Sequence, residues 1–402
     1  MSDLSLLRPA WVEVDLDAAA HNFRALKKKV DPKTKFMAVV KGDAYGCSSA
    51  LPAQLMVELG ADYLAVAILD EALELRRAGI TAPILVLGYT PTAQAGLLVE
   101  HDITQTVFNM DAIEAISEAA VRKGKNAKIH IKLDTGMNRV GLPADEGVVE
   151  FIKAAKSLTG IIVEGIFTHF AVAEMEEPGD REYTIQQCGA FRNVIFMLED
   201  AGIHIPLKHA ANSAGILHMP ESHYDMVRAG TAIFGLTVTD EYNRELGIKP
   251  VISLKVKIAH VKEIPPSQTI SYGRTFITKR TSTIVTLPIG YADGYSRLFS
   301  NKSQVLVGGK RVPQVGRVCM DQCMVDVTDL ETKPQVGDTA VLIGRQGTES
   351  ITAKELSALM GPDAFDLEVI THLTKRLPRV YIWHGRPIAI YDMAGLDHLD
   401  SH

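Results

Sequence analysis

The chain has 402 residues, 47% of them hydrophobic and 22% charged, with a formal net charge of −6. That length suits two or three domains, and that composition a core-forming chain rather than a disordered one. There is no basic block to hold nucleic acid and no run of roughly eighteen apolar residues to span a membrane, and the acidic start MSDLSLLRPAWVEVDLD lacks a secretory apolar core. Cys47, Cys188, Cys319 and Cys323 contain only one close pair, so reduced free thiols and no metal site are expected. A cytoplasmic protein with neither nucleic-acid nor membrane partners follows from these features.

WVEVDLD (11–17) reads as a strand lying ahead of the main alternating region, so residues 1–15 are expected to pack with the C-terminal domain. Short apolar runs then follow at 36–40, 63–68, 84–87, 103–107, 128–133, 163–167, 206–210 and 226–228, with amphipathic stretches between them. LDEALELRRAGI from Leu69 and MDAIEAISEAAVRKG from Met110 have helical spacing. The second puts Ile113, Ile116 and Ala120 on one face and stops at Gly124. Eight strand–helix units predict an α/β fold, a (β/α)8 TIM-type barrel over residues 16–243. From 244 to 402 the character changes to VISLKVKIAHV, STIVTLPIGYADG, QVLVGGKRVPQVG, CMVDVTDL and TAVLIG. These runs are separated by turn residues, and they predict a mostly β C-terminal domain. Gly308-Gly309 marks a hairpin, AKELSALMG a helix, and RVYIW (379–383) the closing strand.

Barrel enzymes carry their reactive groups at the carboxyl ends of strands. Polar residues gather there repeatedly in this chain. Lys41 follows the first barrel strand and Asp134 and Arg139 the fifth; His169 follows the sixth, Asn212 and Ser213 the seventh, and Arg228, Gly230 and Thr231 the eighth. Each has an ordinary reading. Lys41 could be a solvated strand end, Arg228 a salt-bridge partner, His169 a core histidine and Asn212 a helix cap. Tyr272 could be a plain strand tyrosine, and Met320-Asp321 a turn. Convergence from five strands is harder to attribute to core formation. A lysine at the end of a buried strand is desolvated, which lowers its pKa and suits it to imine chemistry.

The segments VVKGDAYG, KLDTGMNRVG, THFA, NSAG, VRAGTAIFG, SYGRTF, GYADGYSR and VGRVCMDQCMVDVTD occur in that order along nearly the whole chain. Together they resemble the alanine racemase family of fold-type III pyridoxal-phosphate (PLP) enzymes. The resemblance implies a racemase that interconverts L- and D-alanine for peptidoglycan, using Lys41 and Tyr272 as bases on opposite faces. It implies that Lys41 carries the PLP, that Tyr45, Ser213, Gly230 and Thr231 hold its phosphate beside Asn212, and that Arg228 faces its ring nitrogen, supported by His169. Arg139 would contact the cofactor's phenolic oxygen and the substrate carboxylate, oriented by Lys132, a position that is often carbamylated in the family. Members are homodimers, so Tyr272, Tyr291, Met320 and Asp321 would serve the partner's site, with Arg297 and Arg317 along the approach to it.

Arg228 separates racemisation from decarboxylation. A guanidinium does not surrender its proton to a pyridine nitrogen, whereas the related decarboxylases place an acidic residue there. The chain departs from the family pattern after KGDAYG, where Cys47-Ser48-Ser49 replaces the usual His-Gly, and at Leu367, which stands where a pocket tyrosine is usual. The second change leaves a serine or broad-spectrum racemase as an alternative. A non-catalytic PLP-binding regulatory protein is the other alternative, although such proteins lack the β domain that carries Tyr272.

Overall fold

The computed structural model describes residues 8–174, 177–236 and 244–398. The expected boundary at residue 243 and the first seven residues lie outside that set. Strand β1 (Ala10–Asp15) comes first. The barrel strands are β2 (Lys35–Val39), β3 (Tyr63–Val66), β4 (Ile84–Val86), β5 (Thr104–Val107), β6 (Ala127–Asp134), β8 (Ile161–Phe167), β9 (Leu207–His209) and β10 (Met226–Ala229), while β7 (Leu142–Pro143) is a short spur on β6. All eight are parallel, in the order β10-β2-β3-β4-β5-β6-β8-β9. The last seam, β9 to β10, is nearly closed. Asp225 N donates to Lys208 O and Arg228 N to Ala211 O, both at 3.0 Å, in place of a full ladder.

Helices cover the barrel because their apolar stripes match its outer wall. Met110–Lys123 buries Ile113, Ile116 and Ala120, is capped by Asn109 Oδ1 on Ala112 N, and ends at Gly124 with φ +62. Most barrel strands are runs of Val, Ile, Leu, Met and Ala, as parallel strands buried on both faces require, whereas β5 buries Thr104, Gln105 and Thr106.

The C-terminal region is mostly β. Its strands are β11 (Ile252–Lys257), β12 (His260–Ile264), β13 (Thr269–Ile270), β14 (Phe276–Ile277), β15 (Ser282–Leu287), β16 (Gln304–Val307), β17 (Lys310–Val315), β18 (Cys323–Asp326), β19 (Thr339–Gln346), β20 (Glu349–Ile351), β21 (Arg379–Trp383), β22 (Arg386–Asp392) and β23 (Gly395–His398). The main sheet runs in the order β12-β15-β18-β17-β16-β19-β11-β1-β21-β22-β23, with β20 paired to β19, and β13 and β14 pair separately. Strand β1 thus sits inside this sheet, antiparallel to β11 and parallel to β21. Gly308 and Gly309, at φ +60 and +75, make the β16–β17 turn. RVYIW does not close the sheet. His384 and Gly385 (φ +51 and +71) turn the chain into β22, and β23 follows. That His-Gly pair is a hairpin signal of the same kind as Gly308-Gly309.

Two buried side chains fasten the C-terminal region to the loop after Lys41. Arg379, 2% exposed, donates from Nε to Gly46 O (3.0 Å), and Tyr381 Oη donates to Cys47 O (3.1 Å). The LPRVY segment therefore braces the barrel mouth.

Candidate active site

Lys41 opens a tight turn at the end of β2. Gly42, Asp43, Ala44 and Tyr45 all have left-handed backbone, with φ of +63, +58, +51 and +54. Three of these are not glycine, and each costs about 1–2 kcal/mol in that region. The turn persists because other groups hold it. Glu71 Oε1 accepts from Gly42 N (2.6 Å) and Asp43 N (3.3 Å), while its Oε2 accepts from Ala67 N (2.7 Å) and Ile68 N (3.3 Å). Asp43 Oδ1 accepts from Ser49 N at 3.1 Å. Strain of this kind concentrates at functional sites. Here it aims the Lys41 amine and Tyr45 ring at the barrel mouth.

One cleft of about 670 Å³ at that mouth is lined by Lys41, Tyr45, Lys132, Arg139, His169, Asn212, Ser213, Arg228, Gly230 and Thr231. Five strand ends bring these ten sequence-selected residues together. Asn212 lines the cleft, but its side chain caps Ser213–His218, with Oδ1 accepting from Gly215 N at 2.8 Å. Ser213 Oγ accepts from Gly230 N at 3.0 Å. A Cβ on Gly230 would overlap the Tyr45 hydroxyl, so only glycine lets that ring close against the strand end.

The electrostatics are those of a desolvated cationic site. Burial, then Arg139, lowers the pKa of Lys41; Glu71 opposes this and Arg228 adds to it. Burial, then Arg228, brings Lys132 down to about 8. Arg228 is 4% exposed and is brought down to about 9 by burial, then by Arg139. Its Nη1 donates to His209 Nδ1 (3.0 Å), and its Nη2 faces His169 Nδ1 (3.1 Å), Thr168 O and Ala210 O (both 2.9 Å). Arg228 makes no ion pair among the described residues. Burial, then Arg228, pushes His169 well below its ordinary pKa, so it is neutral.

Tyr272, Tyr291, Met320 and Asp321 do not line this cleft. They form a second, exposed cluster on the β region, where Tyr272 is 70% exposed. Ser271 Oγ donates to Arg317 O (2.6 Å), Tyr291 N to Cys319 O (3.0 Å) and Ala292 N to Met320 O (3.0 Å), and Asp321 pairs with Arg376 at 2.7 Å. Ser271, just before Tyr272, sits at φ +66 and ψ −178, a region occupied almost only by glycine. Arg297 is exposed and Arg317 half-buried. Leu367 also lies off the cleft, packed against the core, while Phe365 from the same segment lines it. The four cysteines are free thiols.

Reasoning from sequence missed the groups behind this wall: Glu71, Arg379 and Tyr381 around the turn, and a polar file of His209, His130, Glu164 and Tyr63 inside the barrel. A signal for the file was present. AKIHIKLD alternates Lys128, His130 and Lys132 on one face of a strand expected to be apolar on both.

Comparison with known proteins agrees with this arrangement. Residues 14–238 match the model for the alanine racemase N-terminal domain and residues 251–381 that for its C-terminal domain. The chain is 47% identical over 379 residues to alanine racemase 2 of Caldanaerobacter subterraneus subsp. tengcongensis, covering 94% of this chain and 96% of that one. Alanine racemase from Clostridium difficile 630 superposes with a TM-score of 0.91 at 36% identity, over 96% of this chain and 99% of that one. A Bartonella henselae alanine racemase with covalently bound pyridoxal phosphate gives 0.81 at 29% identity, over 94% and 100% of the two chains. With both domain models matched in order and nearly the full length covered, the chain belongs to the alanine racemase family.

Proposed function

We propose that the protein is a homodimeric, PLP-dependent racemase that interconverts L- and D-alanine in the cytoplasm and supplies D-alanine for peptidoglycan. One observation carries this reading: the Lys41 amine and the Arg228 guanidinium meet in a single cleft, and Arg228 pairs with no carboxylate among the described residues. The residues present fit the cofactor. Tyr45 is buried, yet its hydroxyl makes no hydrogen bond among the described residues. Ser213 accepts from Gly230 and so keeps its own hydrogen to donate. Both hydroxyls suit a phosphate, with Thr231 beside them and Lys41 ready for the aldehyde. Bound there, PLP supplies an electron sink that acidifies the α-C–H bond of an attached amino acid.

The protein's own groups set the outcome. Arg228, even at about 9, is charged at neutral pH, so it would donate a hydrogen bond to the ring nitrogen without giving up its proton. By keeping that proton Arg228 would hold the sink weak and favour return of a proton to Cα over side reactions such as transamination. His169 braces Arg228. Burial lowers the Lys41 pKa, which makes the amine a usable base on one face. Tyr272 is the base for the other face, reaching the cleft of a second copy. Its exposure, together with that of Tyr291, Met320 and Asp321, supports this placement. Arg139 and Met320 would hold the substrate carboxylate. The depressed pKa of Lys132 supplies free amine for a carbamate that orients Arg139.

Mixing variants tests the shared site. Lys41→Ala and Tyr272→Phe should each be inactive as homodimers. After subunit exchange the mixture should regain activity, because one of its two sites is intact. If Tyr272 served its own subunit's cleft, every site in the mixture would keep one defect and no activity would return.

A further inference from the structure

We propose that Glu164 is a positioning residue that acts through His130 and His209 to fix the imidazole tautomer presented to Arg228, and with it the orientation of the guanidinium. This inference deepens the racemase reading and rests on it for its kinetic consequence only.

Arg228 can only donate hydrogen bonds. Its Nη1 is 3.0 Å from His209 Nδ1, so that nitrogen carries a lone pair. A neutral imidazole has one N–H, which in His209 must then sit on Nε2. His209 Nε2 lies 3.0 Å from His130 Nδ1, which accepts, leaving the His130 proton on Nε2. That Nε2 is 3.3 Å from Glu164 Oε2. The carboxylate only accepts, so deduction from the far end gives the same two tautomers. Every link donates in one direction, away from the cleft and toward Glu164.

Both histidines are neutral, as this scheme requires. They are fully buried, and burial lowers both pKa values; for His209 the Arg228 charge is the next cause. Glu164 is ionised. Burial opposes ionisation, but hydrogen bonds from His130, Tyr63 and Lys128 outweigh it and bring the carboxyl to about 2. Tyr63 Oη donates at 2.5 Å and Lys128 Nζ lies at 2.9 Å. The file also has a built channel. A Cβ on Gly165 would come within 2.6 Å of the His130 ring, so this in-strand glycine makes room for it. Phe167 stacks on His209 with centroids 4.7 Å apart and planes 3° from parallel.

A flip of His209 would turn its Nδ1–H onto the N–H of Arg228, and a flip of His130 would turn its Nδ1–H onto His209 Nε2–H and so force the same change in His209. Arg228 would lose an acceptor, and its remaining bonds, to His169, Thr168 and Ala210, would pull it to one side. The carboxylate prevents this from the far end of the file.

The test is two-bond 15N–1H NMR on holoenzyme labelled at histidine, with signals assigned by His130→Gln and His209→Gln. We expect one neutral Nε2–H tautomer at each residue near pH 7. An Nδ1–H tautomer or an imidazolium at either position overturns the proposal. Glu164→Leu should give mixed tautomers at both histidines and lower kcat on alanine about tenfold, as removal of such outer groups commonly does, with KM nearly unchanged. Tyr63→Phe keeps the carboxylate and should keep both tautomers. Unchanged tautomers in Glu164→Leu, or equal tautomer mixing in Tyr63→Phe, also overturn the proposal. If Glu164→Leu does not fold, the wild-type and Tyr63→Phe spectra still decide. An enzyme inactive on alanine that shows the single Nε2–H tautomers would remove the racemase reading and leave this assignment standing.

Discussion

Replacing Glu71 by glutamine removes one charge and leaves the shape of the side chain, and the left-handed turn should respond strongly. The Glu71 carboxylate takes four backbone amides, two of them short: Gly42 N at 2.6 Å and Ala67 N at 2.7 Å. Hydrogen bonds to an ionised acceptor contribute about 1.5–3 kcal/mol each. Glutamine keeps one accepting oxygen, so one pair of amides survives at neutral strength and the other faces an N–H2 group. The turn it restrains stores about 3–6 kcal/mol in Asp43, Ala44 and Tyr45, at about 1–2 kcal/mol each. Glu71→Gln should therefore destabilise the apoenzyme by about 2–4 kcal/mol in chemical denaturation. Glu71 also raises the pKa of Lys41 against burial and Arg139, so the variant's amine should titrate at lower pH. The rate of Lys41 modification by an amine reagent, followed against pH in apoenzyme, reads this directly. Asp70→Asn, a neighbouring first-turn carboxylate that is exposed, controls for the helix dipole. A Glu71→Gln protein within about 0.5 kcal/mol of wild type, the ordinary range for surface changes, would refute the claim that Glu71 restrains this turn.

Other consequences are as specific. Gly230→Ala forces a methyl onto the Tyr45 hydroxyl and against Val39 Cβ at 3.3 Å; overpacking of this kind costs about 1–3 kcal/mol, so PLP affinity in an absorbance titration of apoenzyme should fall by about 5- to 150-fold. Affinity within a factor of two would contradict the fit. Ser48 has φ +63, so Ser48→Gly should stabilise the fold by about 0.5–1 kcal/mol after glycine's entropy is counted; a loss of stability would show that the Ser48 side chain contributes more than this backbone strain costs. Lys132, 4% exposed, titrates near 8 in the fold and near ~10.4 in the unfolded chain. The unfolded state thus binds the extra proton between those values, and this group's penalty is present in full below pH 8 and fades as pH rises toward ~10.4. In CO2-free buffer Lys132→Met should gain up to about 3 kcal/mol on wild type at pH 7 and lose that advantage by about pH 10; a pH-independent difference would contradict the assigned shift.

Much of the barrel was legible because its strands are short apolar runs between amphipathic helices, and period and length separate the two. All eight expected strands are present within a residue or two at their ends. The ten residues of the cleft were legible for a geometric reason: a parallel barrel gathers its strand ends at one rim, so position along each strand predicts convergence. Three features were not. The left-handed turn at 42–45 is written in Glu71, 29 residues beyond Gly42, and no local pattern in KGDAY shows three non-glycine residues at positive φ. The His209–His130–Glu164 file needs inward orientation across three strands, which the alternation in AKIHIKLD hints at without fixing partners. The family pattern puts Leu367 where a pocket tyrosine is usual. The helix Asp366–Thr371 instead turns Leu367 toward the core, and Phe365, just before it, reaches the cleft.

The most direct test of the central claim is α-proton exchange. The purified protein, supplied with PLP in D2O, is given L-alanine, and the products are resolved by chiral chromatography with mass detection, with L-serine and L-lysine run in parallel. The expected product is D-alanine carrying deuterium at Cα, formed faster than either D-serine or D-lysine. Bound PLP with neither exchange nor D-alanine would contradict the claim.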